Sequence, residues 1–277
     1  MAAVYAGNPK VAATAAAGSV GSGLADEWSD LELDVYWHAP PTDDDRRRPI
    51  DVLGGDTEQY WPYDADEEEW GEEYSLGGLG VGVSSFAVES VRRFIRRVTV
   101  EGDPAPIMQV RVAAIRAAAP LTGLDLLAEW KQRAETYPDL LQRRMVARYL
   151  RPERLAGWHL REALVHRGDL LALHRIIGRA ERSVVGALHG LNRVFLGNPL
   201  MKWEQATVSQ FRLAPPDLLQ RLAAAWTGDV RVRVRTVEGL LGETLDLAER
   251  ELGMSFAETR RVLARRRPSL PARPTGI

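Results

Sequence analysis

The stretch GSVGSGLADEWSDLELDVYW, Gly18 to Trp37, decides how the rest of the chain is read. It opens on Gly-Ser, passes through a polar turn, and ends on a run with acids at alternate positions. Small apolar residues, Val11–Ala17, precede it and predict a buried strand, and the alternation of Leu31–Trp37 predicts a second. Successive strand side chains point to opposite faces, so Asp30, Glu32 and Asp34 share one. Carboxylates this close repel, and a cation between them lets a fold keep them together. Hard oxygen ligands suit Mg²⁺, which takes one or two protein carboxylates and completes its shell with phosphate oxygens. A metal held in this way can bridge a nucleoside triphosphate and stabilise an in-line displacement at phosphorus. Gly18 lets the backbone approach a phosphate closely. Backbone N–H groups at the following helix start, with the Ser19 hydroxyl, can grip it. No Gly-Lys-Ser/Thr follows, so the turn is not a P-loop.

Working outward, the first part of the chain reads as mixed α/β. Pro40–Arg48 is a turn-rich charged loop, and Ile50–Leu53 a short strand. Asp64–Glu73 is an acidic loop or helix start. Leu79–Ser85 is a strand weakened by its glycines, and Val88–Val98 has helical periodicity. From there the chain reads as wholly helical: Ile107–Ala119, Leu124–Ala134, Leu140–Leu150, Glu153–His166, Leu170–Phe195, Asp217–Trp226, Arg233–Leu252 and Ala257–Arg267. Leu170–Phe195 is the clearest, with apolar residues recurring every three or four positions from Leu170 to Phe195. The expectation is an α+β chain, with a mixed sheet and flanking helices over residues 1–103 and an all-α bundle over 104–277. Its tail, 268–277, is expected to be disordered.

The chain has 277 residues, 45% hydrophobic and 27% charged, enough to bury a core. No apolar run is long enough to span a bilayer, and no leader-like start is visible. The absence of cysteine excludes disulfides and thiolate metal sites and fits a cytoplasmic location. Net charge is only −2, but residues 1–91 carry 4 basic against 19 acidic residues, and the remainder 32 against 19. Either the two parts face different partners, or they neutralise each other.

Gly-Ser, ten residues, then Asp-x-Glu on a strand resembles the nucleotidyltransferase superfamily that includes DNA polymerase β. Ser29–Glu32, Ser-Asp-Leu-Glu, is similar to the kanamycin nucleotidyltransferase branch. Asp103–Gly123 and Leu191–Trp203 resemble the helical half of uncharacterised bacterial members. The resemblance implies that Gly18 and Ser19 hold the triphosphate and that Asp30 and Glu32 bind Mg²⁺. Asp34 lies outside the two-acid motif and reads as a structural, hydrogen-bonded acid.

The chain departs from the family pattern in one place that matters. A third acid on a later strand falls here near Gly82, which has no side chain to ligate a metal or take a proton. One metal then suffices, or Glu72 or Glu73 moves in, or catalysis is lost and nucleotide binding kept. The kanamycin-type branch also places a carboxylate base on a helix of the second domain. Between Leu170 and Trp203 the acid available is Glu181, at the flank of an apolar stripe where burial raises its proton affinity. It reads either as that base or as a packed glutamate. Lys202 and Trp203 follow a Gly-Asn-Pro turn and read as a phosphate contact and a base-stacking ring, or as a surface lysine beside a core tryptophan. Acids mixed with aromatics over Asp64–Glu73 offer a surface for a cationic acceptor, or form a charged mobile loop.

These readings converge on Mg²⁺-dependent transfer of AMP from ATP, or another nucleoside triphosphate, to a hydroxyl of a small-molecule acceptor, with release of pyrophosphate. Two alternatives stay open: a tRNA- or protein-directed transferase of toxin-like type, and a catalytically degenerate nucleotide-binding protein.

Overall fold

The computed structural model describes residues 1–268. The chain is α+β, a mixed six-stranded sheet with flanking helices followed by a helical region. Its contacts divide it into two units: Met1–Leu141 with Phe195–Trp203, and Gln142–Val194 with the chain from Glu204 on. This partition differs from a boundary at residue 103, because two helices beyond that point pack with the sheet.

The first unit begins with α1 (Ala2–Ala6), β1 (Val11–Ala16), α2 (Gly18–Ser22) and β2 (Leu31–Trp37). It continues with α3 (Asp43–Leu53), β3 (Asp56–Asp64), β4 (Glu69–Leu76), β5 (Leu79–Ala87) and α4 (Val88–Thr99). Then come α5 (Pro106–Ala117), β6 (Ala119–Thr122) and α6 (Leu124–Ala134). The strand order is β3-β4-β5-β2-β1-β6. β2 and β5 are parallel and the other neighbours antiparallel.

One face of this sheet is the apolar core. Leu33, Val35 and Trp37 of β2 pack with Val81 and Val83 of β5, Tyr74 of β4, Tyr5 of α1 and Ile50 of α3. A buried ion pair, Arg46 with Glu72, is set among them. The Arg46 guanidinium also donates to the carbonyls of Trp61 at 2.6 Å and Gly71 at 3.0 Å, so its charge is well satisfied. Removing one partner of such a pair typically costs about 3–5 kcal/mol.

Several expectations are corrected. The short strand and most of the loop read over Pro40–Leu53 are one helix, α3. Its start is a capping box, with Thr42 Oγ accepting from the Asp45 N–H at 3.2 Å and the Asp45 carboxylate accepting from the Thr42 N–H at 2.8 Å. Pro49 lies inside α3, and the cap, the acidic first turn and the burial of Ile50 outweigh its missing donor. The acidic stretch Asp64–Glu73 is the tip and returning arm of a hairpin formed by β3 and β4. The segment after α5 is not wholly helical: β6 pairs with β1, joined by a 2.9 Å hydroxyl contact between Thr14 and Thr122.

The second unit holds α8 (Arg161–Arg167), α9 (Leu170–Leu191), α10 (Glu204–Val208), α11 (Leu218–Ala224), α12 (Val230–Leu252) and α13 (Ala257–Ala264). α7 (Asp139–Tyr149) runs into it from the first unit. α9 and α12 are its long helices and pack together. α9 follows the expected periodicity but stops at Leu191, short of Phe195. Asp229 caps α12 by accepting from the N–H groups of Arg231 and Val232. The expected disorder of 268–277 lies, apart from Pro268, outside the described residues. Among the described residues, no helix is long and apolar enough to cross a membrane.

Candidate active site

The sheet face opposite the core carries the candidate site, and strand register arranges it in rows. Glu32 on β2 stands opposite Gly82 on β5, and Gly82 stands opposite Glu73 on β4. The next row along is Asp34, Ser84 and Gly71. The third begins with Tyr36 and Phe86. Helices cover that third row: Trp130 of α6 meets Tyr36 edge-on at 5.0 Å, Phe94 of α4 meets Phe86 at 6.3 Å, and the Arg111 guanidinium of α5 lies 4.7 Å from the Phe86 ring centre. The acids of the first row are exposed.

Gly18 is required by two independent features. Its φ is +54°, a conformation an L side chain adopts only with strain. A Cβ built there would collide with the Glu32 carboxylate. The Gly-Ser turn and the second acid of the motif are therefore in contact, with glycine as the condition for it. The Ala17 N–H donates to the Glu32 carbonyl at 2.9 Å and ties the turn to the strand. Ser19 is half-buried on α2, and Ser22 Oγ donates to the carbonyls of Gly18 and Ser19. The approach to Asp30 is ordered by Asp26, whose carboxylate accepts from the Trp28 N–H and the Ser29 hydroxyl, each at 3.0 Å. Asp30 is exposed and lies beside Gly80.

Glu32 has its carboxyl pKa raised, first by desolvation against the turn and then by repulsion from Asp30. The positive charge of Lys202 partly offsets this. Lys202 is brought to that neighbourhood by the segment Phe195–Trp203, whose contacts belong to the first unit. Met201 and Trp203, on either side of it, both have positive φ, +57° and +60°. Non-glycine residues held there cost of order 1–3 kcal/mol and cluster at functional sites.

Asp34 is the structural acid the sequence suggests. It is 8% exposed and accepts from the Tyr36 hydroxyl at 2.9 Å. Burial pushes its pKa up to about 7, against the lowering effects of Tyr36 and Arg111.

The structure also separates the two substitutes for the absent third acid. Glu72 points into the core and is held by Arg46. Glu73 is on the site face, in the same row as Glu32, with Gly82 between them. A Cβ at Gly82 would meet nothing within 4 Å, so the place is open.

Part of the acidic stretch is paired within the first unit. Glu67 and Glu69 are paired to Arg111, Glu69 also accepts from Ser84, and Glu68 is paired to Arg93 and accepts from Ser90. Asp64, Asp66 and Glu73 of the stretch are exposed.

In the second unit, Glu181 on α9 is buried, and its pKa is pushed up to about 8 by desolvation. Its Oε1 has no hydrogen-bond partner among the described residues.

The donor set near Gly18 fits a hard divalent cation. Asp30 and Glu32 are oxygen donors whose mutual repulsion is incompletely offset by Lys202. Among the described residues, no group of three or more His, Asp or Glu side chains is placed to enclose a metal ion. Two acids leave most of a Mg²⁺ shell to substrate and water oxygens.

Sequence reasoning missed Arg111 and the Glu32–Gly82–Glu73 row. Both depend on strand register, which no local pattern in the sequence specifies.

Comparisons with known proteins add little to this. Residues 107–204, roughly a third of the chain, match the family model described as Domain of unknown function (DUF4037). No curated protein matches the chain. A solved structure described as a nucleotidyltransferase-like protein from Exiguobacterium sibiricum 255-15 is similar at 16% identity, over 91% of this chain and 76% of that chain, with a TM-score of 0.38. A TM-score of that size does not establish a shared fold.

Proposed function

We propose that the first unit is a nucleotidyltransferase that moves a nucleoside monophosphate, AMP from ATP, to an acceptor hydroxyl. The observation that carries this reading is the contact between Gly18 and Glu32. A Gly-Ser turn beside an acidic strand is a common enough pattern. A turn whose glycine is demanded by the second acid of the motif makes the two parts one device.

In this reading Asp30 and Glu32 hold Mg²⁺, which when bound neutralises charge on the α-phosphate. Gly18 leaves the backbone open to the triphosphate, and the Ser19 hydroxyl donates to a phosphate oxygen. Lys202 answers the negative charge of the leaving group. The acceptor oxygen forms a bond to the α-phosphorus as the bond to the bridging oxygen breaks, and pyrophosphate leaves. The hydroxyl proton passes to a carboxylate. Glu73, on the same face as Glu32, is the carboxylate the first unit offers for that role. Positioned general bases typically contribute about 10²–10⁴-fold.

The open place at Gly82 favours one second reading, nucleotide binding without transfer. Incubation with labelled ATP and Mg²⁺, against small hydroxyl compounds and tRNA, tests both by mass analysis of products. The expected result is an acceptor heavier by AMP, with one pyrophosphate released per adduct. Retention of intact ATP by the protein, with no adduct on any acceptor, would favour the second reading.

A further inference from the structure

The second unit contains a buried acid and a buried guanidinium that act on each other without pairing. Glu181 on α9 is 7% exposed and Arg233 on α12 is 6% exposed. Arg233 lowers the proton affinity of Glu181, so the two lie in each other's field, yet no ion pair joins them among the described residues. Glu181 Oε1 and Arg233 Nη2 are both sealed from solvent and lack hydrogen-bond partners among the described residues. Arg233 is held in place by its Nε, which donates to the Ala225 carbonyl at 2.9 Å. A carboxyl and a guanidinium taken out of water are costly when an atom of each is left without a partner, and a group that serves both removes that cost.

The surroundings describe what that group must be. The Trp226 indole rests on α9 at Gly178, where a Cβ would stand 3.4 Å from the ring, and it is in hydrogen-bonding contact with the Glu181 carboxyl, whose Oε1 stays without a partner among the described residues. His174, one turn before Gly178, faces the same indole at 5.6 Å, and its Nε2 is also buried and without a partner among the described residues. Trp226 is itself 47% exposed and begins the turn between α11 and α12, where Gly228 has a φ of +75°. An acid, a guanidinium and an indole that is half outside thus share one neighbourhood.

We propose that Glu181 and Arg233 are the two poles of a binding site for a small zwitterion of amino-acid type, closed by the Trp226 indole. The ligand's ammonium donates to Glu181 Oε1. Its carboxylate accepts from Arg233 Nη2, and His174 Nε2 serves a second carboxylate oxygen. Only a ligand with both charges satisfies both poles, so methylamine or acetate alone leaves one unanswered. The charged groups acting on Glu181 are Glu204 of α10, which raises its proton affinity, and Arg233, which lowers it. Ammonium binding ionises Glu181 and so releases a proton near neutrality. The site stands independently of the transfer reaction, and it is read by binding rather than by turnover.

The test is calorimetry on the full chain with glycine, L-alanine and L-serine, in two buffers of different ionisation enthalpy at pH 7. Saturable binding of at least one is expected, with methylamine and acetate at least about tenfold weaker and an enthalpy that depends on the buffer. Glu181→Gln and Arg233→Gln should each weaken binding at least about tenfold. Thermal unfolding of the unaltered protein gives a readout that does not depend on the variants folding: Tm should rise with concentration of the amino acid that binds. No saturable heat and no rise in Tm with any of the three overturns the proposal. So does binding that survives in both variants, or a crystal soaked in the three amino acids in which a water alone bridges the poles.

Discussion

Glu32→Gln is expected to lower nucleotidyl transfer on the order of 10³-fold while leaving the fold intact, the scale seen when a charge-stabilising group is lost. Glutamine keeps the shape that packs over Gly18 and removes the charge. The charge is not needed for stability. Glu32 is destabilised as a carboxylate by desolvation and by Asp30, so its neutral replacement removes a repulsion. Tm should therefore be unchanged or slightly raised. Loss of turnover with retained Tm separates a site residue from a structural one. Turnover within a few-fold of the unaltered protein would remove Glu32 from the site.

Gly18→Ala is expected to be as damaging to transfer, by a different route. The added methyl group occupies the position of the Glu32 carboxylate, and the backbone sits at φ +54°. The left-handed conformation costs a non-glycine residue about 1–2 kcal/mol, so Tm should fall. Either the turn opens or Glu32 swings away, and in both cases the turn and the acid separate. Gly82→Ala is the control, because a Cβ there meets nothing within 4 Å. Combining Gly18→Ala with Glu32→Gln should cost little more activity than either alone, since both break one contact. Full additivity of the two losses would show that the turn and the acid act separately.

The parts of the fold legible in the sequence were those with strong local pattern. β1 follows from its run of small apolar residues, β2 from alternation and α9 from helical period, and motif spacing picks out Gly18 and Glu32 without showing that they touch. What was hidden depended on non-local pairing or on context overriding a breaker. Pro49 argued against a helix, yet the Thr42–Asp45 box starts one through it. β6 is four residues long and exists because β1 has a free edge for it to pair with. The β3–β4 hairpin was masked by its own charge. Its acids look like a solvated loop until Arg93 and Arg111, well downstream, are seen to meet them. The distinction between Glu72 and Glu73 turned on a single step of strand register, which sends one into the core and the other to the open face.

The central claim is that the Gly18 turn and the Asp30–Glu32 pair together hold a nucleoside triphosphate through a divalent cation. Calorimetric titration of a non-hydrolysable ATP analogue, with Mg²⁺ and with the metal chelated, tests it most directly. The account predicts saturable binding that needs Mg²⁺ and is lost in both Glu32→Gln and Gly18→Ala. Equal affinity with and without Mg²⁺, or binding that both variants retain, would contradict it.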